Sequence, residues 1–384
     1  MPFEFAAAAR IVFGEGAVRE VTPAAAAMGR RALVVTGANG KRAAALIGNL
    51  EAAGVSCVPF AVAGEPSIDL VREGSRLARG EACDLVVAMG GGSALDGGKA
   101  LAALLTNAAD PLEYLEVVGR GQPLKFTPAP MIAIPTTAGT GSEVTRNAVL
   151  ASPEHGVKAS LRSASMLPRL AVVDPELTWD LPPAITASTG LDALTQLIEP
   201  YVSTRANAMT DLYCVEGMRR AAVALPRAYA DGEDHAARHD MAWASLLGGL
   251  SLANAGLGAV HGFAAPVGGM FPAPHGAICA AVLPHAIDIN VRALRQRAPG
   301  SDALRRYDEV ARLLTGNPHA TAVEAVQWIA DICRRLEIPP LRTYGVRPED
   351  FAVLAEKAAK ASSMKANPIV LTAEELTEMI TRAA

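Results

Sequence analysis

Through the first half of the chain, short apolar runs alternate with longer stretches of helical periodicity. The β-branched run at 31–37 stops at Gly37 and reads as a strand, while 41–54 repeats its apolar positions at helical spacing and ends in Gly54. Residues 55–62 predict another strand, 69–82 a helix, and 83–90 a buried strand running into Gly90, Gly91 and Gly92. A further strand at 131–135 enters a Gly/Thr loop that runs on to residue 143. Strands separated by helices of this length pair in parallel through right-handed crossovers, which predicts a doubly wound, Rossmann-like α/β domain. In such a sheet a ligand belongs at the carboxyl ends of the strands, where Gly37, the three glycines and the 136–141 loop fall.

A Pro-rich stretch at 165–183 carries one last strand, Leu-Ala-Val-Val-Asp, and the pattern then changes. Helical periodicity runs through 186–203, 207–230, 235–255, 303–335, 348–361 and 372–383, with almost no strand signal. The expectation is two domains: an α/β dinucleotide-binding domain over 1–180 and an all-helical one over 181–384. A length of 384 residues also favours two cores over one.

Composition narrows the function. Apolar residues make up 51% and aromatics 4%, so Ala, Val and Leu must fill the cores. A net charge of -4 with no basic block argues against a nucleic-acid partner. The five cysteines, Cys57, Cys83, Cys214, Cys279 and Cys333, are scattered without a CxxC pair. That pattern argues against a disulfide framework or a thiolate zinc site, and all five read as small buried hydrophobes. There is no basic leader and no uninterrupted apolar run of membrane-spanning length, so a cytoplasmic protein is expected, without a membrane partner.

Three constellations carry chemistry. Glycines directly after a strand let the backbone approach a ligand, and the helix that follows turns its N–H groups and positive dipole end toward a phosphate. The segment is not a P-loop, because Ser93 stands where the first glycine is required and Ala100 replaces Ser/Thr. Pyrophosphate binding is the reading. The loop from Pro135 to Glu143, rich in Thr and Gly, can ring a ribose or nicotinamide, though Ser142 would also serve as a helix cap. In the helical half, Asp192 and Gln196 stand four apart on one helix face. His261 and His275 follow in Gly/Pro-rich turns, and Asp and His are ordinary ligands for Zn²⁺ or Fe²⁺. Taken singly, each such histidine is more often structural.

Together these stretches resemble the iron-containing alcohol dehydrogenase family. The likeness runs through ARIVFGEGAV (9–18), VVTG (34–37), GGGSALDGGKA (90–100), PTTAGTGSEVTRNAV (135–149) and VVDPEL (172–177). It continues in TGLDALTQLIEPYVS (189–203), HGFAAPVGGMFPAPHGAICAAVLPH (261–285) and NPIVLT (367–372). The resemblance implies a dehydroquinate synthase-like architecture, an active site between an α/β and a helical domain, and hydride transfer between NAD(P)H and an aldehyde or ketone. By position it places pyrophosphate contacts on Gly91, Gly92, Ser93 and Asp96, and contacts around the nicotinamide on Thr136, Thr137 and Ser142. Further cofactor contacts fall on Gly37, Asn39 and Lys158. Metal ligands fall on Asp192, Gln196, His261 and His275, of which Asp192, His261 and His275 would serve catalysis.

Two departures stand out. Gln196 occupies a position the family fills with histidine, leaving three good ligands for Fe²⁺ or Zn²⁺. Ala265 replaces a further histidine one turn after His261, which removes a proton relay. Gly37 lacks the carboxylate that holds the ribose of NAD, and Lys41 and Arg42 are near enough in sequence to meet a 2′-phosphate, so NADPH should be accepted or preferred. The leading expectation is therefore metal-assisted carbonyl reduction of a small molecule by a homodimer. The alternatives are a metal-independent reductase similar to maleylacetate reductases and, less favoured for want of Lys and Arg near the site, a dehydroquinate synthase-like lyase.

Overall fold

A computed structural model describes residues 2–384, and these divide into two compact units. The first comprises Ala6–Thr137 and Gly141–Thr178; the second comprises Trp179–Ala384 together with residues 2–5 and Ala138–Thr140.

In the first unit the chain runs β1 (Ile11–Phe13), α1 (Val21–Met28), β2 (Arg31–Thr36), α2 (Ala44–Ala52), β3 (Ser56–Ala61), α3 (Ile68–Gly80), β4 (Leu85–Gly90) and α4 (Gly92–Thr106). It continues through β5 (Met131–Pro135), β6 (Asn147–Ser152), β7 (Val157–Arg162) and β8 (Leu170–Val173). Six strands form a parallel sheet in the order β1-β8-β5-β4-β2-β3, and β6 and β7 pair as a separate antiparallel hairpin. Side chains alternate across the sheet at period two. Leu33, Val35, Val86 and Ala88 meet Leu95 and Leu101 of α4 and Val71 of α3 on one face. On the other, Val34, Leu85 and Val87 meet Val21 of α1 and Leu50 of α2. Both faces are covered, which is why these strands read as continuous apolar runs.

Strand order places the functional edge. From β2 the chain moves outward to β3, then returns past β2 to β4, so β2 and β4 are neighbours whose connections leave in opposite directions. That reversal opens a crevice beyond their carboxyl ends, where Gly37 and Gly90 lie.

The second unit has no strand among the described residues. It contains α5 (Pro183–Val202), α6 (Ala208–Ala230), α7 (His235–Ala255), α8 (Ala259–Met270), α9 (His275–Arg297), α10 (Asp302–Thr315), α11 (Ala322–Arg335), α12 (Phe351–Lys360) and α13 (Ala373–Ala383). The single helix expected over 303–335 is two, because Gly316 adopts a left-handed φ of 70° that closes α10 and Thr321 opens α11 with a capping box. The stretch expected to be Gly/Pro-rich turns is also helical: α8 carries Pro266 and α9 carries Pro284 inside them. Local propensity lost there to packing, since Phe263, Ile278 and Leu283 are fully buried in the core of this unit. Helix α9 is long and apolar enough to cross a membrane by composition, yet 78% of its apolar window is buried inside the protein.

Candidate functional site

The glycines after β4 divide by what surrounds them. A Cβ on Gly90 would lie 2.6 Å from that of Ala94 and 3.3 Å from the Gly37 nitrogen, so packing requires glycine there. At Gly91 a Cβ would meet only Thr137, at 3.4 Å, and at Gly37 nothing within 4 Å. The open surface therefore lies over Gly91 and Gly37. Gly91 caps α4 in extended geometry without a side-chain cap, and the first turn of α4 carries no acidic residue. Its leading N–H groups are left to an external acceptor, and nothing there opposes an anion.

Around this cradle Thr136 donates its backbone N–H to the Gly90 carbonyl at 2.9 Å. Asp96 is engaged inside the protein: Ser142 Oγ donates to one carboxylate oxygen, Lys99 Nζ lies 3.0 Å from the same atom, and the Val149 N–H donates to the other at 2.9 Å. Asp96 and Ser142 thus fasten the Thr/Gly loop and β6 onto α4. Asn39 stands just before the turn that leads into α2, Lys41 is exposed, and Arg42 donates to the Leu177 carbonyl at 2.9 Å. Lys158, on β7, has a nearly buried side chain whose Nζ is 3.0 Å from Glu65 Oε1.

Beneath the loop, Glu143 is buried, and that burial raises its pKa to about 7, more than its own backbone bond and Lys99 lower it. Between its ordinary value of 4.5 and about 7 the folded protein keeps a proton that the unfolded chain has lost, so this group's contribution to stability falls as pH rises through that window. Glu143→Gln is expected to flatten the fall of Tm across this range relative to the unaltered protein. An unchanged slope in thermal melts would reject it.

The second constellation lies within the helical unit. Helix α5 carries Asp192, Gln196 and, three residues on, Glu199, all buried on successive turns. The N-terminus of α8 is fixed by Asn367, whose Oδ1 accepts from the Ala259 N–H at 3.1 Å, and by Glu199, whose Oε1 accepts from the Val260 N–H at 2.7 Å. This places His261 at the site. The other Glu199 oxygen accepts from His261 Nδ1 at 2.7 Å, which turns Nε2, the nitrogen whose lone pair a cation would take, into the site. Gly276 lets α9 reach the backbone of α5: a Cβ there would stand 2.4 Å from the Ser188 carbonyl oxygen. That approach brings in His275 and, one turn later, Cys279.

The result is a tight ring. Asp192 Oδ1 lies 3.4 Å from His261 Nε2 and 3.7 Å from His275 Nε2, and Cys279 Sγ lies 3.9 Å and 3.7 Å from the same two nitrogens. One donor atom from each of the four residues falls within 4.8 Å of the others. Asp192 Oδ1 and Gln196 Oε1 are buried and accept no hydrogen bond, which a buried oxygen ordinarily does. A tetrahedral Zn²⁺ with bonds of about 2.0–2.3 Å has ligand-to-ligand edges of roughly 3.3–3.6 Å, close to the spacings found. The donor set fits a divalent cation. Its electrostatics agree: burial works against a charged His275, but Cys279 and Asp192 hold its pKa up at about 9. Burial likewise opposes the His261 cation, and Cys279, Asp192 and Glu199 lift it well above the ordinary value. For Asp192, burial pushes the carboxyl up, and His275 and His261 outweigh it. The side chain of His275 is 33% exposed and that of Asp192 2%, so the ring opens on its His275 side.

Asp192, His261 and His275 are thus brought together, with Gln196 one turn along α5. Ala265 is partly exposed on α8, one turn past His261. Of the apolar residues near these histidines, Phe263 and Pro266 are buried in the core, while Met270 and Phe271 stay partly exposed. One member of the ring, Cys279, and the Glu199 that orients His261 were not among the site residues expected from the sequence. Cys279 is fully buried in the core of this unit, as read, and its sulfur also faces both imidazoles. Glu199 stands seven residues after Asp192 and therefore on the same helix face, a spacing that could have found it. Helical periodicity from His275 would have found Cys279 once 275–297 was read as helix.

Comparison with known proteins adds an independent line. A family profile described as iron-containing alcohol dehydrogenase matches residues 8–175, and one described as the C-terminal part of the Fe-containing alcohol dehydrogenase family matches residues 186–384. Alcohol dehydrogenase 4 of Saccharomyces cerevisiae is 38% identical over 319 residues, 83% of this chain and 80% of the relative. The NAD-dependent methanol dehydrogenase of Bacillus methanolicus is 34% identical over 384 residues, 97% of each chain. The crystal structure of a 1,3-propanediol oxidoreductase superposes with a TM-score of 0.92 at 33% identity, covering 100% of both chains.

Proposed function

Because the chain belongs to the iron-containing alcohol dehydrogenase family, nicotinamide-dependent oxidoreductases that interconvert alcohols and carbonyl compounds, we propose that its reaction runs beside a divalent cation held by Asp192, His261 and His275. The observation that carries this reading is Asp192 Oδ1, buried, without a hydrogen bond, and faced by two imidazole nitrogens. The bound groups supply Lewis-acid polarisation of a carbonyl oxygen and the hydride itself.

The remaining steps belong to the chain. Glu199 holds His261 in one tautomer and orientation, so that Nε2 stays turned into the ring. His275, on the open side, faces the entering small-molecule alcohol or carbonyl compound. Gly91, Gly92 and Ser93 present backbone N–H groups to the pyrophosphate, Thr136, Thr137 and Ser142 flank the nicotinamide, and Gly37 and Asn39 adjoin the adenosine ribose, with Lys158 nearby. With Ala265 in place of an imidazole, water or a cofactor hydroxyl delivers the proton to the product oxygen. The open space at Gly37 and the exposed Lys41 support acceptance of the 2′-phosphate of NADPH as well as NADH.

The test is elemental analysis of the purified protein, followed by turnover of an aldehyde panel with NADH and NADPH before and after chelation. Loss of activity on chelation, restored by Fe²⁺ or Zn²⁺, is expected, with both cofactors oxidised. Full activity in metal-free protein would reject the cation in favour of hydrogen-bonding catalysis by the same residues. Turnover with NADH alone would reject the cofactor reading.

A further inference from the structure

We infer that Cys279 is a ligand of the cation, replacing the nitrogen donor that Gln196 does not supply, and that the site is accordingly a mixed Asp/His/His/Cys centre selective for Zn²⁺ over harder ions. The inference rests on the cation reading above and goes beyond it in the identity of the fourth donor.

Three observations carry it. Cys279 Sγ stands 3.7 Å and 3.9 Å from the two imidazole Nε2 atoms, near the roughly 3.6 Å edge set by one sulfur and one nitrogen ligand on a tetrahedral cation. The sulfur approaches His261 Nε2, the ring nitrogen turned into the site because Glu199 holds Nδ1 from behind. Finally, Asp192 Oδ1 completes the ring as a buried oxygen that accepts no hydrogen bond. A cysteine serving only to fill the core would not need to lie within reach of three potential ligand atoms.

The chemistry is consistent. On binding, the Cys279 S–H bond breaks, its proton passes to solvent and a sulfur–metal bond forms, with nothing oxidised or reduced. One thiolate and one carboxylate neutralise a buried 2+ ion, whereas the carboxylate with neutral donors alone would leave one positive charge uncompensated. A soft thiolate favours Zn²⁺ or Co²⁺ and disfavours Mn²⁺ or Mg²⁺, whereas a carboxamide oxygen at Gln196 would do the opposite.

Cobalt substitution of the full-length protein tests this without relying on turnover. Stoichiometric Co²⁺ should give a sulfur-to-cobalt charge-transfer band in the near ultraviolet, and X-ray absorption of the zinc form should show one sulfur at about 2.3 Å. In Cys279→Ser the band should vanish and zinc affinity fall by roughly 100-fold, and in the double variant Gln196→His/Cys279→Ser affinity should recover without the band. The spectra of the unaltered protein stand whether or not the variants fold. Stoichiometric cobalt with an all-nitrogen/oxygen shell would overturn this inference alone. Failure to bind any cobalt or zinc would overturn the cation reading with it.

Discussion

Asp192→Asn should lower turnover by on the order of a thousandfold and leave the purified protein with little bound cation. The substitution preserves shape while removing the carboxylate charge from the ring of Asp192, His261, His275 and Cys279. Lewis-acid stabilisation of a developing alkoxide is worth several kcal/mol, and each 1.36 kcal/mol is about tenfold in rate. The two buried imidazoles would then face a neutral amide whose NH₂ group can only donate, and Nε2 of His261 would lose its nearest negative neighbour. Metal content by elemental analysis and kcat on one aldehyde are the measurements, with circular dichroism to show the fold retained. If the residues worked by hydrogen bonding alone, Asp192→Asn would leave most of the rate, and retention of a tenth or more of the original kcat would sink the cation mechanism.

The second large effect is on stability. Lys99 sits in the middle of α4 with a fully buried side chain, its Nζ donating to Thr145 Oγ1 at 2.7 Å and lying 3.0 Å from Asp96 Oδ1. Burial lowers its pKa, and Asp96 and Glu143 work against that. Lys99→Met keeps the stem but leaves the Asp96 carboxylate without its cation and Thr145 without its donor. Removing one partner of a buried pair costs about 3–5 kcal/mol because the other charge is stranded. For a unit of this size that corresponds to a fall in Tm of roughly 6–20 °C, read by calorimetry on the transition of the α/β unit. Since Asp96 also holds Ser142 and β6, the variant should bind NADH more weakly even where it remains folded. A melting temperature within about a degree of the original would show that the buried lysine contributes nothing net.

Much of this was legible in the chain itself. Strand and helix in the α/β unit follow from period-two and helical repetition of apolar residues, which is local information. The glycine turn between β4 and α4 was legible for the same reason: a glycine run between a strand and a helix constrains its own backbone. Asp192 and Gln196 could be paired because four residues on a helix make one face. Helices α8 and α9 were hidden, since their glycines and prolines argue locally for turns and only burial of Phe263, Ile278 and Leu283 holds them helical.

What the sequence by itself determined, then, is the alternation of elements, the crevice at the strand ends, and the identity of three of the side chains that gather in the helical unit. Tertiary structure alone decided which of the three glycines is required by packing and which is open, and that Asp96 braces the loop from within. It also decided that Glu199 orients His261. Above all it decided that Cys279, buried in the core of this unit, has its sulfur beside the histidines. That grouping depends on α9 meeting the backbone of α5 at Gly276 and on α8 being pinned by Asn367, which are contacts between segments dozens of residues apart. Spacing along one helix shows which side chains share a face; which faces meet is settled only by how the helices pack.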